Sequence, residues 1–429
     1  MSDLSDRSTA HPEPVEGSSF SSDDAPGEEG QRFDKLSPSG EGLRSDFPGM
    51  FTEDGKPWHY LDSAATAQKP RVVIDAMARA LGEDYATVHR GVYTRSARMT
   101  TGYEAARRKV AAFIGASQDE LVFTRGATEA INLVAYSYPD KGRVLLSQLE
   151  HHSNIVPWQL AGWQVDVCPL TEDGRIDLDA AETMLTPEHT MVALAHVSNV
   201  LGSVLDAGRA AELAHSVGAK LLLDGCQAAP RLTVDVAELG CDFYAMSAHK
   251  MYGPTGIGAL WGRAELLESM PPWQGGGSMI DKVGFERSTY APPPQRFEAG
   301  TPAIAEALAF ADACDFIDSV GPEQIEAHER ALVRQLRSEL ARIQGARLFG
   351  PDDALGIVSF ELPGVHPHDL GTILDEENVA IRAGHHCCQP LMEHLGVPAT
   401  ARASFGVYSD ESDIEALMRG IERTLKIFA

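Results

Sequence analysis

Residues 220–261 read KLLLDGCQAAPRLTVDVAELGCDFYAMSAHKMYGPTGIGALW. Three short apolar runs lie inside this stretch: Lys220–Asp224 (KLLLD), Phe243–Met246 (FYAM) and Gly256–Trp261 (GIGALW). Upstream, similar runs occur at Leu121–Thr124 (LVFT), Val144–Ser147 (VLLS), Val165–Pro169 (VDVCP) and Met191–Val197 (MVALAHV). Helix-like stretches stand between several of them. The clearest are Thr128–Tyr138 and Ala207–Val217, the second closed by Gly218, a good helix stop. Short apolar strands alternating with helices predict an α/β fold, a mostly parallel sheet covered on both faces.

Beyond Thr301 the pattern changes. Glu323–Ile343 predicts a long amphipathic helix, followed by a strand at Gly356–Leu362 and a helix at Pro367–Glu377. A strand at Val379–Arg382 and a last helix near Glu411–Lys426 complete a smaller α+β unit. The 429 residues exceed what one core usually holds, which predicts at least two domains. The expected division is a tail over 1–45, a segment 46–80 packing with the small unit, a large domain over 81–322 and a small one over 323–429. Residues 1–45 carry ten acidic against four basic residues amid Ser, Pro and Gly, a composition expected to stay disordered. No internal repeat is visible.

The chain has 36 Lys and Arg against 62 Asp and Glu, a formal net charge of −26, which argues against a nucleic-acid partner. No apolar run of about 18 residues occurs, so no membrane span is expected. The opening MSDLSDRSTA lacks a secretory pattern. Six cysteines are too few for a disulfide scaffold, and a reducing cytoplasm is the expected location.

Several residues stand where chemistry is possible. Asp224 ends a strand, at the edge where open α/β sheets bind ligands; it can equally cap the next turn. Gln227 lies three residues on. Lys250 follows Ser247 and His249 between a buried strand and a Gly-rich one. Desolvation lowers a lysine pKa and makes its amine nucleophilic, as a Schiff base requires; a solvated surface charge is the alternative. Arg125–Ala130 follows a strand and opens a helix, so its free N–H groups favour an anion, or Thr128 simply ties down the turn. Gly256 and Gly258 lack the following helix that a nucleotide fingerprint needs. His151 can stack on a flat ring or pack as a core histidine. In Arg382–Pro390 (RAGHHCCQP), a metal site, a vicinal disulfide and a nucleophilic thiol all come into question. Four consecutive side chains converge poorly on a tetrahedral ion, and a vicinal disulfide is strained, so no metal is expected.

Together these motifs resemble the class V aminotransferase family of pyridoxal 5′-phosphate (PLP) enzymes, and within it the SufS-type, group II cysteine desulfurases. The resemblance rests on YLDSAATAQKP (60–70), VHRGVYTRSA (88–97), EHHSNIVPWQ (150–159), HVSNVLG (196–202), DGCQA (224–228), DFYAMSAHKMYGPTGIG (242–258), PPWQGGGSMI (271–280), RFEAGTP (296–302), RAGHHC (382–387) and RAS (402–404). It runs from about residue 46 to the end. It implies a fold type I, aspartate-aminotransferase-like large domain plus a small α+β domain.

The resemblance also implies roles. Lys250 would hold PLP covalently and move the Cα proton, and Asp224 would pair with the ring nitrogen. Gln227 would bond the phenolic oxygen, and His151 would stack on the ring. Ala127, Thr128, Ser247 and His249 would bind the phosphate, with Thr301 contributed by the partner of a homodimer. Arg402 and Asn199 would hold the substrate carboxylate, with His89 and Arg382 lining the pocket. Cys387 would take sulfur from L-cysteine as a persulfide, releasing alanine. It would pass the sulfur to a SufE- or SufU-type acceptor for iron–sulfur cluster assembly. A selenocysteine lyase, acting on L-selenocysteine, or another C–S lyase would share every feature except a strict need for Cys387. Three departures stand out. Cys388 replaces a frequent Ala and is expected to pack inertly, Ala127 replaces a Thr of some relatives, and Tyr138–Arg143 is short.

Overall fold

The computed structural model describes residues 43–429. The tail expectation therefore lies outside the described residues, except for 43–45. There Leu43 and Arg44 are buried. Arg44 donates from Nη1 and Nη2 to the Asp413 carboxylate at 3.1 and 3.0 Å and from Nη2 to the Trp58 carbonyl at 2.8 Å. A pairing across the whole chain thus orders residues that local composition assigns to the tail.

The central sheet has seven strands: β1 (Leu121–Thr124), β2 (Arg143–Ser147), β3 (Gln164–Cys168), β4 (His189–Ala195), β5 (Lys220–Asp224), β6 (Phe243–Ser247) and β7 (Gly258–Gly262). Their spatial order is β1-β7-β6-β5-β4-β2-β3. The ladders β2·β3, β2·β4, β4·β5 and β5·β6 are parallel. Only β7 runs the other way, antiparallel to β6 and β1. The ten residues from 248 to 257 are too few for a crossover, so β7 must return. Six strands consequently end at one edge of the sheet, where β7 begins.

Side chains alternate between two buried faces. Leu221, Leu223, Tyr244 and Met246 join one core with the helices Thr94–Phe113, Ala207–Ser216 and Ile304–Val320. Leu222, Phe243 and Ala245 join the opposite core with helix α1 (Ala127–Ser137). Both faces being covered is why these strands read as unbroken apolar runs.

A second sheet holds β8 (Arg347–Phe349), β9 (Ile357–Glu361), β10 (Arg382–Gly384) and β11 (Thr400–Ser404), antiparallel in the order β8-β9-β11-β10. Leu332 and Leu336 of helix Pro322–Leu340, Leu370 of Pro367–Asp375 and Leu417 of Glu411–Phe428 pack with Val358, Phe360 and Ala403. The single strand expected at Val379–Arg382 is two. Val379–Ala380 pairs in parallel with His59–Tyr60, and Arg382–Gly384 joins the antiparallel sheet. Among the described residues no helix is long and apolar enough to cross a membrane.

Candidate active site

A cavity of about 250 Å³ opens at the strand-end edge of the central sheet and is walled on its other side by β10, β11 and the loop after β10. From the sheet come Asp224, Ser247, His249 and Lys250; from the other side come Arg382, Cys387 and Arg402. Larger hollows of about 370 and 680 Å³ lie elsewhere and collect neither amine and thiol nor the strand-end carboxylate.

The sheet wall is fixed by the strands. Asp224 is the last residue of β5 and its Oδ1 accepts from the Cys226 N–H at 3.0 Å. Lys250 closes the short 3₁₀ turn Ala248–Lys250 that follows β6. Gly258 is required where the walls crowd: a Cβ there would overlap the Met246 carbonyl oxygen and the Gly126 Cα. Helix α1 therefore starts against β6. Its Ala127 N–H donates to Ser247 Oγ at 2.8 Å, so that N–H orients the hydroxyl rather than facing a ligand. Thr128 Oγ1 lies 2.8 Å from Ser153 Oγ. The next N–H groups of the first helical turn have no carbonyl behind them and carry the positive end of the helix dipole.

His151 lines the cavity, and its Nδ1 accepts from the Ser153 N–H at 3.1 Å. Burial first, then the Lys250 charge, brings its pKa down to about 4, so the ring is neutral at pH 7. Burial likewise brings His249 down to about 4. Behind His151, Glu150 is wholly buried. It accepts from Ser147 Oγ at 2.5 Å, the Ala195 N–H at 3.1 Å and Asn154 Nδ2 at 2.7 Å. Burial still pushes its pKa up to about 7.

On the far wall Arg402 is buried within β11. Its Nη1 donates to the Asn199 carbonyl at 2.7 Å and its Nη2 to Asp62 Oδ1 at 3.0 Å. Its Nε is buried with no partner among the described residues, which costs about 1–3 kcal/mol. Arg382 stands half exposed beside it, 3.7 Å from Asp62 Oδ2. Cys387 sits in the four-residue loop 385–388 between β10 and the helix Gln389–Leu395. It is the only exposed cysteine of the chain's six. The His152 N–H donates to its carbonyl at 2.7 Å, and His152 Nε2 accepts from the Gln389 N–H at 3.0 Å. His386 turns inward onto Thr400 Oγ1 at 2.8 Å, and Cys388 is buried with its thiol on Asn199 Oδ1 at 3.0 Å.

Three expected site residues do not line the cavity, although Gln227 touches Ala64, which does. Gln227 is buried, donating from Nε2 to the Ala64 carbonyl at 2.8 Å and accepting from Arg231 at 2.9 Å, which leaves one amide hydrogen. Thr301 lines the 680 Å³ hollow instead. His89 lies half exposed, its Nε2 3.6 Å from Glu104. Asn199 lines the cavity, but its amide already serves the loop. Sequence reading missed Asp62, although it lies within YLDSAATAQKP. It also missed His152, Glu150 and Lys69, whose Nζ donates to the His249 carbonyl at 3.1 Å. Burial takes the Lys69 pKa down to about 8.

A strand-end carboxylate, an amine and a neutral imidazole suit a flat, protonated heterocycle bearing an aldehyde. The helix start with its hydroxyls suits a phosphate, and Arg402 suits a carboxylate. A free thiol completes the set.

The family model for aminotransferase class-V matches residues 59–417. A probable cysteine desulfurase of Halalkalibacterium halodurans is 46% identical over 393 residues, covering 89% of this chain and 97% of that one. A cysteine desulfurase of Dickeya dadantii is also 46% identical, covering 89% and 95%. Among solved structures, the cysteine desulfurase CsdA from Escherichia coli superposes with a TM-score of 0.84 at 39% identity, covering 90% of this chain and 98% of its own.

Proposed function

The chain belongs to the class V aminotransferase family, and from that premise we propose that it is a cysteine desulfurase of the SufS-like, group II type. Its cofactor is pyridoxal 5′-phosphate. The residues present fit that group: Asp224 and Lys250 face one cavity, and Thr128, Ser247 and His249 line it beside the start of α1. One observation carries the reading. Lys250 and Cys387, 137 positions apart in sequence, line the same cavity.

When bound, PLP supplies an electron sink that lets the Cα proton leave and weakens the bond from Cβ to sulfur. Lys250 is the amine that tethers the aldehyde carbon and then carries the Cα proton. Asp224 keeps the ring nitrogen protonated. His151, neutral, offers a flat face, and Gln227 has one amide hydrogen for the phenolic oxygen. Ser247, His249 and Thr128 hold the phosphate beside the helix start. Arg402, which lines the cavity, takes the substrate carboxylate, with Arg382 at the mouth. Cys387 Sγ forms a bond to the substrate sulfur as the Cβ–S bond breaks. The electron pair stays on Cβ, which takes a proton. L-cysteine plus the thiol becomes L-alanine plus a Cys387 persulfide, with no outside oxidant.

The loop holding Cys387 is too short to carry sulfur far, which supports delivery to a SufE- or SufU-type acceptor and a role in iron–sulfur cluster assembly. Thr301 lies away from the cavity within one chain, which supports a homodimer whose second copy brings it in. We place the division between large and small domains near residue 322, and the enzyme in the cytoplasm. The test is Cys387→Ala. Alanine release from L-cysteine is expected to fall below about one per cent of wild type. Alanine release at full rate would refute sulfur capture by Cys387 and leave a selenocysteine or other C–S lyase.

A further inference from the structure

We propose that Cys388 and Asn199 form a latch that fixes Cys387 for sulfur capture, a positioning role that rests on the desulfurase reading above. The loop 385–388 is strained. His386 and Cys387 both take the left-handed backbone conformation, with φ of 53° and 56°. Neither is glycine, and each such residue costs about 1–3 kcal/mol, so the turn persists only where its surroundings hold it.

Asn199 holds it on both sides of the nucleophile. Its Nδ2 donates to the His386 carbonyl at 2.9 Å, and its Oδ1 accepts the Cys388 thiol at 3.0 Å. The two bonds fix the amide's orientation, because only the oxygen can accept and only the nitrogen can donate. Burial pushes the Cys388 thiol up to about 12, so it remains an S–H donor at neutral pH and does not compete with Cys387 as a thiolate. The Leu149 carbonyl, at 3.8 Å, is a more distant second acceptor. The backbone carbonyl of Asn199 accepts Arg402 Nη1 at 2.7 Å. One residue thus joins the guanidinium that faces a substrate carboxylate to both neighbours of the sulfur acceptor. Asn199 serves the loop as much as the ligand.

The test compares Cys388→Val, of similar shape without a donor, with Cys388→Ser, which keeps one. Iodoacetamide labelling of the substrate-free protein reports on Cys387, since the other five thiols are buried. For Cys388→Val, labelling is expected to speed up and kcat for alanine formation to fall, each about 3–10-fold, the span of one neutral hydrogen bond. KM for L-cysteine should hold within about twofold. Cys388→Ser should return both rates to within about twofold of wild type. If Cys388→Val folds poorly, Cys388→Ala, which lacks the donor and cannot overpack, replaces it. Labelling that is unchanged or slower without the donor would overturn the latch. So would a serine variant no better than valine, since packing alone would then explain the effect. If the wild-type enzyme makes no alanine, the desulfurase reading fails while the labelling series still decides the latch.

Discussion

The two walls of the cavity are built on opposite plans. On the sheet wall, Asp224 and Ser247 are the terminal residues of β5 and β6, and Lys250 is three residues further on. Their positions follow from strands buried on both faces, which cannot shift without disturbing two cores. On the other wall, Cys387 sits in a loop with no regular structure. It is held there by bonds from His152 and from Asn199, through the residues on either side of it. The first wall is rigid because of its own strands, the second because of what touches it. The fixed wall suits an anchored group, and the pinned loop suits the sulfur capture proposed for its thiol.

Lys250→Ala breaks the comparison most severely. Cofactor tethering should be lost, with no band near that of a PLP–lysine adduct, and alanine formation should fall at least about 1000-fold. Iodoacetamide labelling of Cys387 should nevertheless stay at the wild-type rate, because the loop is pinned independently. A large change in labelling would mean that the walls are not separate structures.

Arg402→Lys tests the junction. A lysine cannot make the two-pronged contact and loses either the Asn199 carbonyl or Asp62. KM for L-cysteine should rise about 10–100-fold. An unchanged KM would remove Arg402 from carboxylate binding.

The smallest expected effect is on stability in acid. Burial brings His151, His196 and His249 down to about 4 and His386 down to about 2. Unfolded histidines titrate near about 6.5, so below that pH unfolding takes up protons at all four, and stability falls as pH drops towards about 4. Glu150, held near 7, opposes this, because its native carboxyl is already protonated where the unfolded one is not. Burial also raises the Glu329, Asp312 and Asp318 carboxyls, which act the same way, but it lowers His152 and His328 too, so the lowered histidines still outnumber the raised carboxyls. The urea midpoint should therefore be lower at about pH 5 than at about pH 7. Equal midpoints would contradict the buried, neutral state of these rings.

The sheet wall was legible in the sequence because its signals are local. An apolar run, then Asp224 or Ser247, then a turn residue is a pattern within ten positions. The reversed direction of β7 was missed, though the short connection before it leaves no other path. The loop wall was legible only as a string of reactive residues. The bonds that give it shape are remote: Arg402 and Asp62 are 340 positions apart, and Asn199 and His386 are 187 apart. β11 escaped notice because Thr400–Ser404 (TARAS) pairs small residues with a charge, so it reads as loop although all five residues are buried. Thr301 and His89 show a different limit. Both match the motif, yet neither lines the cavity of this chain, because a motif identifies a residue type and not its place relative to the site.

The central claim is that the amine of Lys250 and the thiol of Cys387 work on one substrate in one cavity. It is tested most directly by mixing PLP-loaded enzyme with one equivalent of L-cysteine, alkylating at once, and weighing the peptide that carries Cys387. The account predicts that this peptide gains the mass of one sulfur atom in step with the alanine released, and that no other cysteine does. Alanine released in full, with the sulfur found on another residue or only as free sulfide, would contradict it.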